Sequence, residues 1–122
     1  MAYEETFEVP DPRGTYHVVL PKWYGCVATV TVNGQRAGTI AYQPWECDVT
    51  PAVVAGTNRV EVVVFGTLKN TLGPHHLGHV VGKAWPHSFQ VGPKTGPPPG
   101  GKYDTIGYGL FQPFYLREDR TR

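Results

Sequence analysis

The densest group of side chains able to do chemistry is His75-His76-Leu77-Gly78-His79. Neutral imidazoles are the commonest ligands for transition metals, and three within five residues could form part of a zinc or copper site. Gly73-Pro74 and Gly78 oppose the regular helix that would align His75 with His79, and no Cys or Asp nearby completes a ligand set. Histidines hydrogen-bonded to backbone account for the segment without a metal. No metal ligand and no cofactor is therefore assigned, and a small metalloprotein using His75, His76 and His79 stays as the third reading.

Carboxylates are scattered along the chain, at Glu4, Glu5, Glu8, Asp11, Glu46, Asp48, Glu61, Asp104, Glu118 and Asp119. Glycoside hydrolysis needs two of them held across the scissile bond, one with a raised pKa. Glu46 and Asp48, as alternate residues of a short strand, could share a face, but turn capping or solvation explains that spacing equally well. There is no G-x-S-x-G elbow, P-loop or dinucleotide fingerprint. No catalytic residue is assigned, and the chain is not expected to be an enzyme.

Aromatic residues offer a different chemistry. The apolar C–H face of a sugar ring stacks on an aromatic plane while polar side chains read its hydroxyls, and one concave site must supply both. Trp45 follows Pro44, and Trp85 ends the histidine-bearing segment, so both are expected in loops. The candidate binding residues are therefore Trp45, His75, His76 and Trp85, should a sugar be the ligand. Against this stands the tendency of tryptophan to serve the core of a small sandwich.

The elements that must position these residues are strands. Tyr3 to Val9 and Tyr16 to Leu20 read as the first two, stopped by Pro10-Asp11-Pro12 and Pro21. From Cys26 to Val32 the apolar residues alternate, with Cys26, Ala28, Val30 and Val32 on one face and Val27, Thr29 and Thr31 on the other. Asn33-Gly34 is a strong hairpin signal, because both turn residues need positive φ. The return strand runs from about Arg36 to Tyr42. A short segment from Trp45 to Val49 precedes Thr50-Pro51, which predicts an N-cap and one helical turn to Val54. Arg59 to Phe65 places Val60, Val62 and Val64 on one face. Trp85 to Val91 and Tyr108 to Leu116 read as the last strands. Between them lie a long loop over 67–84 and a Pro/Gly-rich loop over 92–101.

Composition agrees with this reading. The 122 residues are 40% hydrophobic and 17% charged, with fifteen glycines and twelve prolines. The apolar set is mostly valine and aromatic residues, which suit a pleated surface. A single domain over 1–122 is expected, all-β, an antiparallel β-sandwich or jelly roll of about seven or eight strands. A net charge of +1 without a basic stripe argues against nucleic acid as a partner. No apolar run approaches the length of a membrane span, so no membrane partner is expected either. Cys26 and Cys47 lie on separate predicted elements, as two buried free thiols or as one disulfide.

Val30-Thr-Val-Asn-Gly-Gln-Arg-Ala-Gly-Thr39, then Pro44, Asp48-Val-Thr50 and Gly56-Thr-Asn-Arg-Val-Glu-Val-Val-Val64, form a recognisable series. It resembles the galactose-binding-like β-sandwich domains attached to glycoside hydrolases of family 2 and similar modular enzymes. Gly66 to His76 and Gly107 to Pro113 look like the C-terminal accessory version found in large bacterial polysaccharide-degrading proteins. The resemblance implies a non-catalytic accessory domain, either a carbohydrate-binding module or a brace for a catalytic neighbour. It further implies a polysaccharide or oligosaccharide partner, a parent enzyme, and a periplasmic or extracellular location. Each residue in the series also has a turn, cap or core role, so the series supports a fold more directly than a ligand.

Overall fold

Alternating valines on two neighbouring strands organise the molecule. The computed structural model describes residues 1–76, 85–92, 95–96 and 100–120. Its strands are β1 (Ala2–Val9), β2 (Thr15–Val19), β3 (Trp23–Tyr24), β4 (Val27–Val32), β5 (Gln35–Ile40), β6 (Glu46–Asp48), β7 (Gly56–Phe65), β8 (Gly109–Leu110) and β9 (Tyr115–Asp119). On β4 and β7 every second side chain is buried, and the buried ones face one another across the ladder as Ala28↔Val64, Val30↔Val62 and Val32↔Val60. Each such valine stabilises the fold by about 1.5–3 kcal/mol relative to an exposed one.

Four strands form one antiparallel sheet in the order β1-β7-β4-β5, and three form another in the order β6-β2-β9, with β3 and β8 as a separate pair. Tyr16, Val18 and Leu20 join the β4 and β7 valines, Ile40, Val49 and Phe114 in one buried cluster. The fold is thus the all-β antiparallel sandwich expected from the sequence, with nine strands among the described residues. No helix among them is long and apolar enough to cross a membrane.

The β4–β5 hairpin turns at Asn33, with φ of 52°, and Gly34, with φ of 80°. Asn33 does more than turn. Its Oδ1 accepts from the Arg59 amide at 2.9 Å, and its Nδ2 donates to Asn58 Oδ1 at 3.0 Å. Asn58 is wholly buried. Its Nδ2 donates to the Val54 and Gly56 carbonyls at 2.7 and 3.0 Å, and its Oδ1 also accepts from the Val54 amide at 2.8 Å. Both donors and both lone pairs of the amide are therefore used. At Gly38 on β5 a side chain would meet Cys47 Sγ of β6 at 2.7 Å, so only glycine lets these strands approach.

Several local expectations are corrected. Thr50 is not the cap of its turn: the 3-10 helix spans Thr50–Ala52, and the Asp48 carboxylate accepts from the Thr50 amide at 2.9 Å. Thr50 Oγ instead accepts from the Tyr16 amide at 2.9 Å. The single strand expected over Tyr108 to Leu116 is two, β8 and β9. Cys26 lies just outside β4 and is exposed, whereas Cys47 is buried; both are free thiols.

The chain divides into two compact units, Met1–Gly66 with Tyr108–Arg122, and Thr67–Gly107. The second contains helix α1 (Lys69–Leu72) and 3-10 turns at Pro86–Gln90 and Gly100–Lys102. The strand expected from Trp85 to Val91 is the first of those turns. Pro86 supplies a φ suited to a helical start. Ser88 closes the turn, its Oγ accepting from the Trp85 amide at 3.2 Å and its amide donating to the Trp85 carbonyl at 2.8 Å. Residues 77–84 of the long loop lie outside the described residues, as do 93–94 and 97–99 of the Pro/Gly-rich one.

Replacing Asn58 by Ala removes the partner of the Val54 amide and of the Val54 and Gly56 carbonyls, and empties the space of a wholly buried side chain. The variant should lose about 3 kcal/mol in urea unfolding. A loss below about 1 kcal/mol would show that those groups find other partners.

Candidate functional site

The two carboxylates weighed as an acid pair lie at alternate positions of β6, and each has a fixed structural partner. Arg117 of β9 grips Glu46 with both terminal nitrogens, at 2.7 and 3.2 Å, while its Nε donates to Asp119 at 2.9 Å. Hydrogen bonding from Arg117 holds the Glu46 carboxyl below its ordinary value. Hydrogen bonds from the Thr50 side chain and backbone do the same for Asp48. A general acid for glycoside cleavage needs the opposite shift. Beside this group, His17 Nδ1 stands 3.6 Å from Asp119 Oδ2 and is buried without a hydrogen-bond partner among the described residues.

Trp45 stands just before β6. Its indole meets that of Trp23 edge-on, with centroids 5.3 Å apart and planes at 85°. Both rings are half-buried against the core, and the Trp45 carbonyl accepts from the Leu20 amide at 2.9 Å. Burial of Cys47, two residues on in β6, raises its thiol pKa, with the Asp48 charge adding to the effect.

His75, His76 and Trp85 belong to the second unit. The Lys69 ammonium of α1 donates to the Pro74 carbonyl and, at 3.0 Å, to that of Asp104. The Asp104 amide donates to the His75 carbonyl at 2.7 Å. This clamp sets Tyr103 beside both imidazoles, its ring centre 5.4 Å from His75 and 5.1 Å from His76. Nearby, the Asn70 side chain donates to the Ile106 carbonyl at 2.8 Å and accepts from its amide at 2.9 Å. The result is an aromatic plate flanked by groups that can donate to or accept from hydroxyls. His75 Nδ1 is buried without a hydrogen-bond partner among the described residues.

Trp85 is 67% exposed at the start of its turn, and no ring contact joins it to the histidine–tyrosine group among the described residues. His79, the third ligand of the metal reading, lies outside the described residues, among which no three His, Cys, Asp or Glu side chains could hold a metal ion. Tyr103 is the residue that reading by sequence passed over. It is separated from His75 by a loop without periodicity, so no spacing signals that they meet.

Neither a protein-family model nor a curated protein matches the chain. Solved structures do. A rhamnosidase from Novosphingobium sp. PP1Y is 26% identical with a TM-score of 0.63, over 97% of this chain and 11% of that one. β-Glucuronidases from an uncultured Clostridium sp. and from Bifidobacterium dentium are 26% and 27% identical, both with TM-scores of 0.46, over 61% and 63% of this chain. Of the three, the rhamnosidase alignment alone spans nearly the whole chain. The chain is therefore similar to a small part of a glycoside hydrolase.

The pairing of Glu46 predicts an acid dependence. Its depressed native pKa gives stability that is complete above the ordinary glutamate value and is lost as pH falls from there through the native value. Thermal midpoints of the parent chain should drop between about pH 5 and 3, and Glu46→Gln should flatten part of that drop. Superimposable profiles would assign the acid sensitivity to the other depressed carboxylates, Asp48 and Glu118.

Proposed function

We propose that this chain is a non-catalytic accessory domain of a carbohydrate-active enzyme, a galactose-binding-like sandwich that binds carbohydrate by aromatic stacking. The observation that carries this reading is the rhamnosidase alignment, which takes in 97% of this chain but 11% of that enzyme. A piece of that size has no room for the barrel that holds the catalytic carboxylates in family 2 enzymes. The two carboxylates best placed to act together here are committed to Arg117 and to the Thr50 turn.

The binding residues we propose are Trp45 in the first unit and His75, His76 and Trp85 in the second, and we take 1–122 as one accessory domain. Exposed Trp85 supplies the stacking plane, and the imidazoles beside Tyr103 supply hydrogen bonds to hydroxyls. The ligand is a polysaccharide or oligosaccharide, and the location is periplasmic or extracellular, where such polymers are met.

A second reading, a structural brace for a catalytic neighbour, draws on another observation. Leu68, Leu72, Trp85, Phe89, Val91 and Tyr103 of the second unit are all exposed. Apolar side chains gathered on one excursion are what a covering neighbour would bury.

A polysaccharide screen on the purified chain separates the two. Retention on at least one glycan, reduced at least about fivefold by Trp85→Ala with an unchanged melting midpoint, is the expected result. No retention on any plant or bacterial polysaccharide would favour the brace. Retention that Trp85→Ala leaves untouched would remove Trp85 from the site.

A further inference from the structure

Residues 1–12 carry four acids, Glu4, Glu5, Glu8 and Asp11, and no lysine or arginine, although the whole chain has a balance of +1. Glu4, Glu5 and Glu8 lie on β1, the outer strand of the four-stranded sheet, whose far edge has no strand hydrogen-bonded to it among the described residues. An edge strand of eight residues presents unpaired backbone groups that can accept an added segment.

The register fixes which side chains share a face. Tyr3 lies opposite Val62, Glu5 opposite Val60 and Phe7 opposite Asn58, so the three share one face, on which Tyr3 and Phe7 are partly buried and Glu5 is exposed. An exposed carboxylate between two apolar rings is open to a cationic partner. Glu4 is paired with Arg59, Glu8 accepts from Thr57, and Asp11 is paired with Arg13. Glu5 has no hydrogen-bond or ion-pair partner among the described residues.

Glu5 opens into a groove of about 340 Å³ between β1 and the segment joining β8 to β9, lined by Tyr3, Glu4, Glu5, Phe111, Gln112 and Phe114 among others. Tyr3 fixes one wall, because its hydroxyl accepts from the Leu110 amide at 3.0 Å and donates to Met1 Sδ at 3.2 Å. The Phe111 and Gln112 amides are held by the Lys22 carbonyl at 2.9 and 3.2 Å, which leaves the Phe111 ring 53% exposed. Among its lining residues the groove has two acids, three aromatic rings and no base. The Tyr3 hydroxyl is already engaged, so Gln112 is the one side-chain donor left to a ligand. That poverty of donors suits a cation better than a sugar.

We propose that this groove binds an extended peptide segment bearing arginine, with the guanidinium on Glu5 and against the Phe111 ring. An ion pair and a cation–π contact together select guanidinium over a neutral side chain, while the free edge of β1 receives the peptide backbone. Three glutamates along β1 repel a second copy laid edge to edge, which leaves the edge to a basic partner. The inference is independent of the carbohydrate reading and uses none of its residues.

The test is a titration of the isotope-labelled full chain with a blocked pentapeptide of valine and threonine around one central arginine, followed by amide NMR. Saturable shifts confined to Tyr3–Phe7 and Leu110–Phe114 are expected. Binding should weaken at least about tenfold when citrulline replaces arginine, or when Glu5→Gln is used. The citrulline comparison uses the unaltered chain, so it stands whatever Glu5→Gln does to folding. The absence of localised shifts overturns the proposal, as does equal binding of the citrulline peptide. Neutral oligosaccharides moving the same amides, or dimerisation through β1, would overturn it too.

Discussion

One buried amide holds the sandwich to its register. Asn58 spends both donors and both lone pairs on Val54, Gly56 and the Asn33 side chain, so the 54–56 backbone and the β4–β5 turn are fixed to one side chain. The β4–β5 turn, the approach to β7 and the end of the Thr50–Ala52 turn all meet there. A leucine of similar volume could fill the space, but the part-buried Val54 amide and carbonyl would then lose their partner. The valine ladder supplies most of the burial. It is indifferent to a two-residue slip, because every second position is alike, and the Asn33–Asn58 pair is not.

The same economy of fixed polar contacts explains why acidic residues on the three-stranded sheet look reactive in sequence and are not so in space. Glu46 and Asp119 converge on one guanidinium, and Asp48 is turned back onto its own chain. On the far side of the sheet pair, the Tyr16 hydroxyl donates to Glu118 at 2.7 Å, which lowers the carboxyl and raises the phenol. Charges spent on holding strands together are poorly placed to trade protons with a substrate.

How much of this was legible in the sequence depends on the range over which the signal acts. Alternation from Ala28 to Val32, and the valines at 60, 62 and 64, report a face, and the faces are where the pattern puts them. Asn33-Gly34 reports a turn because its requirement is local. Trp85 to Val91 misleads, because Trp85, Phe89 and Val91 suit a strand while Pro86 and Ser88 favour a helical turn. Tyr108 to Leu116 is broken by Pro113 at a point no periodicity marks. The candidate site was less legible still. Trp85 lies exposed, Trp45 is tucked edge-on against Trp23, and Tyr103 meets the histidines from a distance in sequence that no spacing encodes. Glu5 is a surface acid in space as in sequence, and only the pairing of β1 with β7 shows that it shares a face with Tyr3 and Phe7.

The missing side chain at Gly38 leaves room for the Cys47 sulfur directly beneath β5. That thiol is shut in and biased toward its protonated form, whereas Cys26 stands in the open. An alkylating reagent would consume the first only during moments when β5 and β6 part, and the second at once. The molecule thus carries a paired clock, one hand for solvent and one for the breathing of the seam, without any label having to be introduced.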